Sequence, residues 1–291
     1  MFEGSIVAIV TPFKDGEVDE AKLKELLEFH IQNGTNGVVP CGTTGESPTL
    51  SHEEHERVID VTVETVNGRI PVIAGTGSNS TAEALRLTKH AKEADADGAL
   101  LITPYYNRPT QKGLYEHYMK LADSVDIPMI IYNVPSRTGT DILPETLAEL
   151  AEHENIVGIK EATGQLKRSS EIVQACGEDF ILLSGDDVVT LPMMSVGGKG
   201  VISVVANIAP ADVAAMCSSA KAGDFQKAQE LHYKILPLSI DLFIETNPIP
   251  VKTAMKLMGM LNGEMRLPLS SISESNLVKL EATLKRCGLI S

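Results

Sequence analysis

Tryptophan is absent from this 291-residue chain, and all aromatics together make up 4%. The few tyrosines therefore stand out wherever they cluster. The four cysteines, Cys41, Cys176, Cys217 and Cys287, form no CxxC pair and fit no zinc module. Such isolated cysteines are expected to be reduced thiols in a cytoplasmic protein. No apolar run reaches the length of a membrane span. The opening MFEGSIVAIVTPFKDGE has no basic leader or cleavage site and reads as a first strand, not a signal peptide. Positive charge is scarce too. A formal net charge of -14 argues against nucleic-acid or anionic-membrane partners. It leaves room for an acidic small substrate, because a local arginine can oppose the global field.

What the chain does have is apolar residues, 43% of the total, arranged in two alternating periodicities. Short branched runs read as buried parallel strands: 5–10, 37–40, 70–75, 98–103, 127–134, 156–160, 180–185 and 200–205. Amphipathic, helix-sized stretches separate them. In one, Leu23, Leu26, Leu27, His30 and Ile31 share a face and Gly34 supplies the stop. In another, Ser80 is expected to cap a helix with Glu83 as its capping-box partner. Eight strands, each followed by a helix, predict an α/β fold, a (β/α)8 TIM barrel over residues 1–223. The competitor is a doubly wound open sheet, which often carries a GxGxxG turn that this chain lacks. Residues 224–291 predict a C-terminal helical appendage.

In such a barrel, chemistry gathers where the strands end. Thr43 and Thr44 follow the second run, Tyr105 and Tyr106 the fourth, Tyr132 and Arg137 the fifth, and Lys160 closes the sixth in IVGIKEATG. Alternation along that strand puts Ile156, Gly158 and Lys160 on one face, with Gly158 leaving space beside the lysine. The Tyr132 hydroxyl on the adjacent strand is expected to approach the amine. Burial disfavours the ammonium form. A lysine otherwise ionising near about 10.4 then becomes a neutral nucleophile toward carbonyls. The structural alternative pairs Lys160 with Glu161 or another nearby carboxylate. The GTTGE loop, 42–46, offers backbone N–H groups and hydroxyls suited to a carboxylate, or is an ordinary turn capped by Ser47 or Ser51. The glycine-rich turn at 197–200 precedes a strand, so it lies on the face away from the chemistry. All seven histidines fall in or beside helices, which gives a catalytic metal no convergent ligands. Neither a metal nor a cofactor is expected.

GTTGE, TPYYNRPTQ, YNVPSRTG and GIKEATG, in this order and spacing, resemble the dihydrodipicolinate synthase family, and the likeness runs from IVTPF through the helical tail. The lysine segment and GTTGE are shared by the wider pyruvate-dependent lyases; YNVPSRTG is more selective. The resemblance implies that Lys160 forms a Schiff base with pyruvate and that Tyr132 positions and shuttles protons. It implies that Thr43 links Tyr132 to a Tyr106 donated by a neighbouring subunit, and that Thr44 holds the pyruvate carboxylate. Arg137 would hold the carboxylate of L-aspartate 4-semialdehyde, and Gly185 and Ile202 would line the lysine pocket. It further implies diaminopimelate and lysine synthesis, a homotetramer built as a dimer of dimers, and an L-lysine feedback pocket at Ser47, His52, His55, Asn79, Glu83 and Tyr105. Two alternatives stand beside it. One is a related aldolase acting on N-acetylmannosamine or a keto-deoxy sugar acid. The other is an inactive barrel that senses pyruvate-like ligands.

Overall fold

The computed structural model describes residues 2–291. Its eight parallel strands are β1 (Gly4–Ala8), β2 (Gly37–Val39), β3 (Ile73–Gly75), β4 (Gly98–Ile102), β5 (Met129–Asn133), β6 (Ile156–Glu161), β7 (Ile181–Ser184) and β8 (Gly200–Ser203). They lie in the order β2-β1-β8-β7-β6-β5-β4-β3, and a parallel bridge from Val38 to Val72 joins the two ends. The sheet therefore closes on itself, and the open-sheet alternative falls. Strands β3 and β5 start just after a proline inside their apolar runs. Pro71 and Pro128 have no N–H to give the ladder, yet their carbonyls accept from Val38 and Ala99.

Closure gives each strand two apolar faces. Ile6, Ala8, Val39, Ile73, Leu100, Ile130, Tyr132, Leu183 and Ile202 pack inside the barrel. Val7, Val38, Ala74, Leu101, Ile131, Ile159, Leu182 and Val201 face outward onto the helices. Those helices include α1 (Glu20–Gln32), α2 (His52–Val66), α3 (Thr81–Glu93), α4 (Gln111–Ala122), α5 (Pro144–Leu150), α6 (Leu166–Cys176), α7 (Thr190–Met194) and α8 (Pro210–Lys221). No helix among the described residues is long and apolar enough to cross a membrane.

Strand β6 departs from strict alternation. Its pairing with β5 shifts register between Met129 and Ile130, so Met129 opposes Ile156 while Ile130 opposes Gly158. The extra residue, Val157, turns Ile156 into the outer core beside Met129. Ile156 thus does not share the face of Lys160. Gly158 also serves a different purpose from the one expected. A Cβ there would lie 2.4 Å from the Ile181 carbonyl oxygen, so the glycine admits strand β7, not the lysine. Space beside the lysine comes from Gly185, whose added Cβ would meet Lys160 Cε at 3.1 Å and Ala162 Cβ at 2.6 Å.

Beyond α8, Asp224 caps α9 (Phe225–Asp241) by accepting the Lys227 N–H at 3.0 Å. Helices α10 (Ile249–Leu257) and α11 (Glu274–Arg286) follow. Ser239 and Ile240 of α9, with Phe243 and Asn247 beyond it, wall the cavity that holds Lys160. The helical tail is therefore part of the site.

Candidate active site

Strand β6 delivers Lys160 into the barrel mouth, where it is 6% exposed. Tyr132 stands beside it at the matching register position of β5. The amine sits over the tyrosine ring, 4.1 Å from its centroid. Among the described residues Lys160 makes no ion pair. Glu161, its neighbour in sequence, points to the other side of the strand. There its carboxylate accepts from the Thr163 N–H at 2.6 Å and the Asn133 amide at 3.1 Å. The Lys160–Glu161 pairing is thereby excluded.

Burial pulls the Lys160 amine down to about 7; the Asp187 carboxylate opposes that shift and Arg137 adds to it. Asp187 is itself buried, which pushes its carboxyl upward. It accepts from the Ser203 hydroxyl and from the N–H groups of Val204 and Val205 at 2.9 and 3.2 Å. Burial also raises the Tyr132 phenol, while Arg137 and the Thr43 hydroxyl pull the other way. The site thus holds a neutralisable amine beside a protonated phenol, a pairing suited to carbonyl addition and proton transfer.

A cavity of about 450 Å³ surrounds these groups. Thr43, Thr44, Tyr132, Arg137, Lys160 and Gly185 all line it. Thr44 is buried, and its hydroxyl accepts from the Asn247 amide at 2.9 Å. Arg137 lies exposed on the single turn Pro135–Thr138, and its guanidinium donates to the Asn247 carbonyl at 3.4 Å. Ile202 instead packs in the barrel interior with Tyr132 and Leu183. Tyr106 stands apart at 90% exposure, with φ at +71°. Within one chain it does not meet Tyr132.

A second cavity, about 380 Å³, adjoins the first through Gly42, Thr43, Leu100, Tyr132 and Arg137. Ser47, His52, His55, Glu83 and Tyr105 line it, and the Asn79 amide donates to the Tyr105 carbonyl at 3.2 Å. The Ser80 hydroxyl accepts the Glu83 N–H, but the Glu83 carboxylate does not return to complete the expected box. It bonds the Ser78 hydroxyl and His52, the latter at 2.8 Å, and both partners lower its pKa. The complete capping box belongs to α2, between Ser51 and Glu54.

Residues 1–287 match the family model described as "Dihydrodipicolinate synthetase family". The chain is 60% identical over 290 residues to the 4-hydroxy-tetrahydrodipicolinate synthase of Syntrophus aciditrophicus (strain SB), covering 100% of both chains. It superposes with a TM-score of 0.98 on the chloride-inhibited dihydrodipicolinate synthase of Acinetobacter baumannii complexed with pyruvate, at 50% identity and 100% coverage of both chains. With the DHDPS of Cyanidioschyzon merolae with lysine bound, the TM-score is 0.96 at 40% identity, covering 99% of each chain. A barrel that buries an unpaired lysine against a tyrosine is thus joined to full-length likeness, and the chain belongs to the dihydrodipicolinate synthetase family.

Proposed function

We propose that Lys160 is the Schiff-base nucleophile of this enzyme, a 4-hydroxy-tetrahydrodipicolinate synthase that condenses pyruvate with L-aspartate 4-semialdehyde. The observation that carries the assignment is the buried, unpaired amine held down to about 7 at the wall of a cavity. The neutral amine adds to the pyruvate ketone, and loss of water leaves an iminium. Loss of a methyl proton gives an enamine, whose carbon attacks the aldehyde. The amino group of the second substrate then displaces Lys160 as the ring closes. The iminium is the electron sink throughout.

Thr44 and its neighbouring backbone hold the pyruvate carboxylate, and Tyr132 handles protons with Thr43 beside it. Arg137, exposed at the rim, takes the carboxylate of the aldehyde. That role favours L-aspartate 4-semialdehyde over N-acetylmannosamine, which has no carboxylate. Tyr106 completes the relay from a second copy of the chain. Its near-full exposure on a loop anchored by Asn79 and Thr140 supports such a donation within a homotetramer. Residues 1–223 supply the chemistry and residues 224–291 part of its wall. Four free cysteines accord with a place in the cytoplasm.

The adjoining cavity is the feedback pocket for L-lysine, with Glu83 taking an ammonium group. Its shared walls give the effector a route to Tyr132 and Arg137. Millimolar L-lysine should slow turnover at subsaturating pyruvate. Product formed from pyruvate with L-aspartate 4-semialdehyde, and none with N-acetylmannosamine, supports the reading. The reverse preference overturns it, and no turnover with either revives the sensor alternative.

A further inference from the structure

The loop that presents Thr44 is held from outside the barrel. Glu46, two residues on, adopts φ of +56°, a left-handed conformation that disfavours glutamate. Its carboxylate is turned inward and meets the Lys252 ammonium of α10 at 2.5 Å, both side chains being 0% exposed. The other carboxylate oxygen accepts the Arg266 N–H at 3.1 Å. Lys252 also donates to the Thr11 carbonyl at 2.8 Å, and the Thr11 hydroxyl donates to the Gly45 carbonyl at 2.7 Å. On the other side of Gly45, Asn247 donates to the Thr44 hydroxyl. One short segment, 247–252, therefore grips the loop on both sides of Gly45. Neither Glu46 nor Lys252 lines the cavity. A buried ion pair contributes little net stability over an apolar pair, but it demands one geometry.

We infer that Lys252 and Glu46 are positioning residues for substrate binding: their buried ion pair, with Asn247, fixes the Thr44 hydroxyl where the pyruvate carboxylate docks. This rests on the reading of Thr44 as the carboxylate ligand. Lys252 and Glu46 then set affinity for the 2-oxo acid without lining its cavity.

The test replaces the ion pair by a neutral pair, Lys252→Met together with Glu46→Gln, and varies pyruvate. Half-saturating pyruvate should rise at least about tenfold, as expected for a lost hydrogen bond to a charged group. The same rise should appear in the pyruvate dependence of borohydride trapping, while kcat at saturation stays within about threefold. A merely structural role lowers the active fraction and kcat at unchanged half-saturation; that result overturns the inference. Thr44→Val separates the two layers. If it leaves half-saturation unchanged, the carboxylate role of Thr44 fails. If it raises half-saturation and the neutral pair does not, only the positioning role fails. Should the neutral pair not fold, Asn247→Ala addresses the same hydroxyl from the other side, and an unchanged half-saturation there also overturns the inference.

Discussion

The Lys160 amine lies 4.1 Å from the centre of the Tyr132 ring, at the register position where β5 and β6 pair these two residues. A ring face attracts an ammonium, while the surrounding burial repels it. Burial wins here, because the net shift of the amine is downward to about 7. Reactivity and stability are therefore opposed at one residue.

Lys160→Met should abolish pyruvate adduct formation and also stabilise the fold. An unpaired buried amine opposes folding, and a methionine of similar shape does not. The expected gain is roughly 1–4 kcal/mol near neutral pH. Urea denaturation of the two proteins checks it; a less stable variant contradicts the unpaired state.

The pH dependence follows from the same shift. Below about 7 the amine is mostly protonated, so imine formation should climb about tenfold per pH unit and level off above about 7. For stability the sign is reversed from that of an ion-paired lysine. Between about 7 and 10.5 the unfolded chain holds a proton that the folded chain has lost. Stability from this residue should therefore rise with pH across that window. Comparing wild type with Lys160→Met by thermal unfolding isolates the contribution, and a flat difference contradicts it.

Gly185→Ala should cripple the enzyme without unfolding it. The added methyl would crowd Ala162 and the Lys160 side chain, and a nucleophile displaced by about 1 Å loses on the order of a hundredfold in rate. Single-turnover trapping measures this; a rate within twofold of wild type contradicts it.

Much of this was legible in the sequence. Parallel sheets covered by helices bury both faces of each strand, so the uniform apolar runs marked the strands, and eight of them, each followed by a helix, pointed to the barrel. Lys160 stood out because it interrupted one of them. The same uniformity hid the bulge at Val157, since a slipped register leaves no polar residue on an apolar face. The contributions of Ser239, Phe243 and Asn247 were also hidden. Periodicity reports that a helix has an apolar face, not what that face covers. Lys252 carried a usable signal, because it interrupts the apolar stretch IPVKTAM much as Lys160 interrupts its strand. Glu83 satisfied a capping pattern by spacing, but stronger partners in His52 and Ser78 drew its carboxylate away.

Arg137→Ala should separate the two substrates. Its guanidinium stands at the rim, exposed and held by the Asn247 carbonyl. Losing a charge-assisted carboxylate contact should cost about 1.5–3 kcal/mol in kcat/KM for the aldehyde, or roughly 10–150-fold. Pyruvate adduct formation should fall far less. Equal loss of both, read by steady-state kinetics and trapping, contradicts the assigned role.

The most direct measurement incubates the folded protein with pyruvate, reduces it with borohydride and maps the modified peptide by mass. A pyruvate-derived adduct on Lys160 alone is the predicted result. An unmodified Lys160, or an adduct elsewhere in the chain, would contradict the Schiff-base assignment and leave the buried amine without a chemical role.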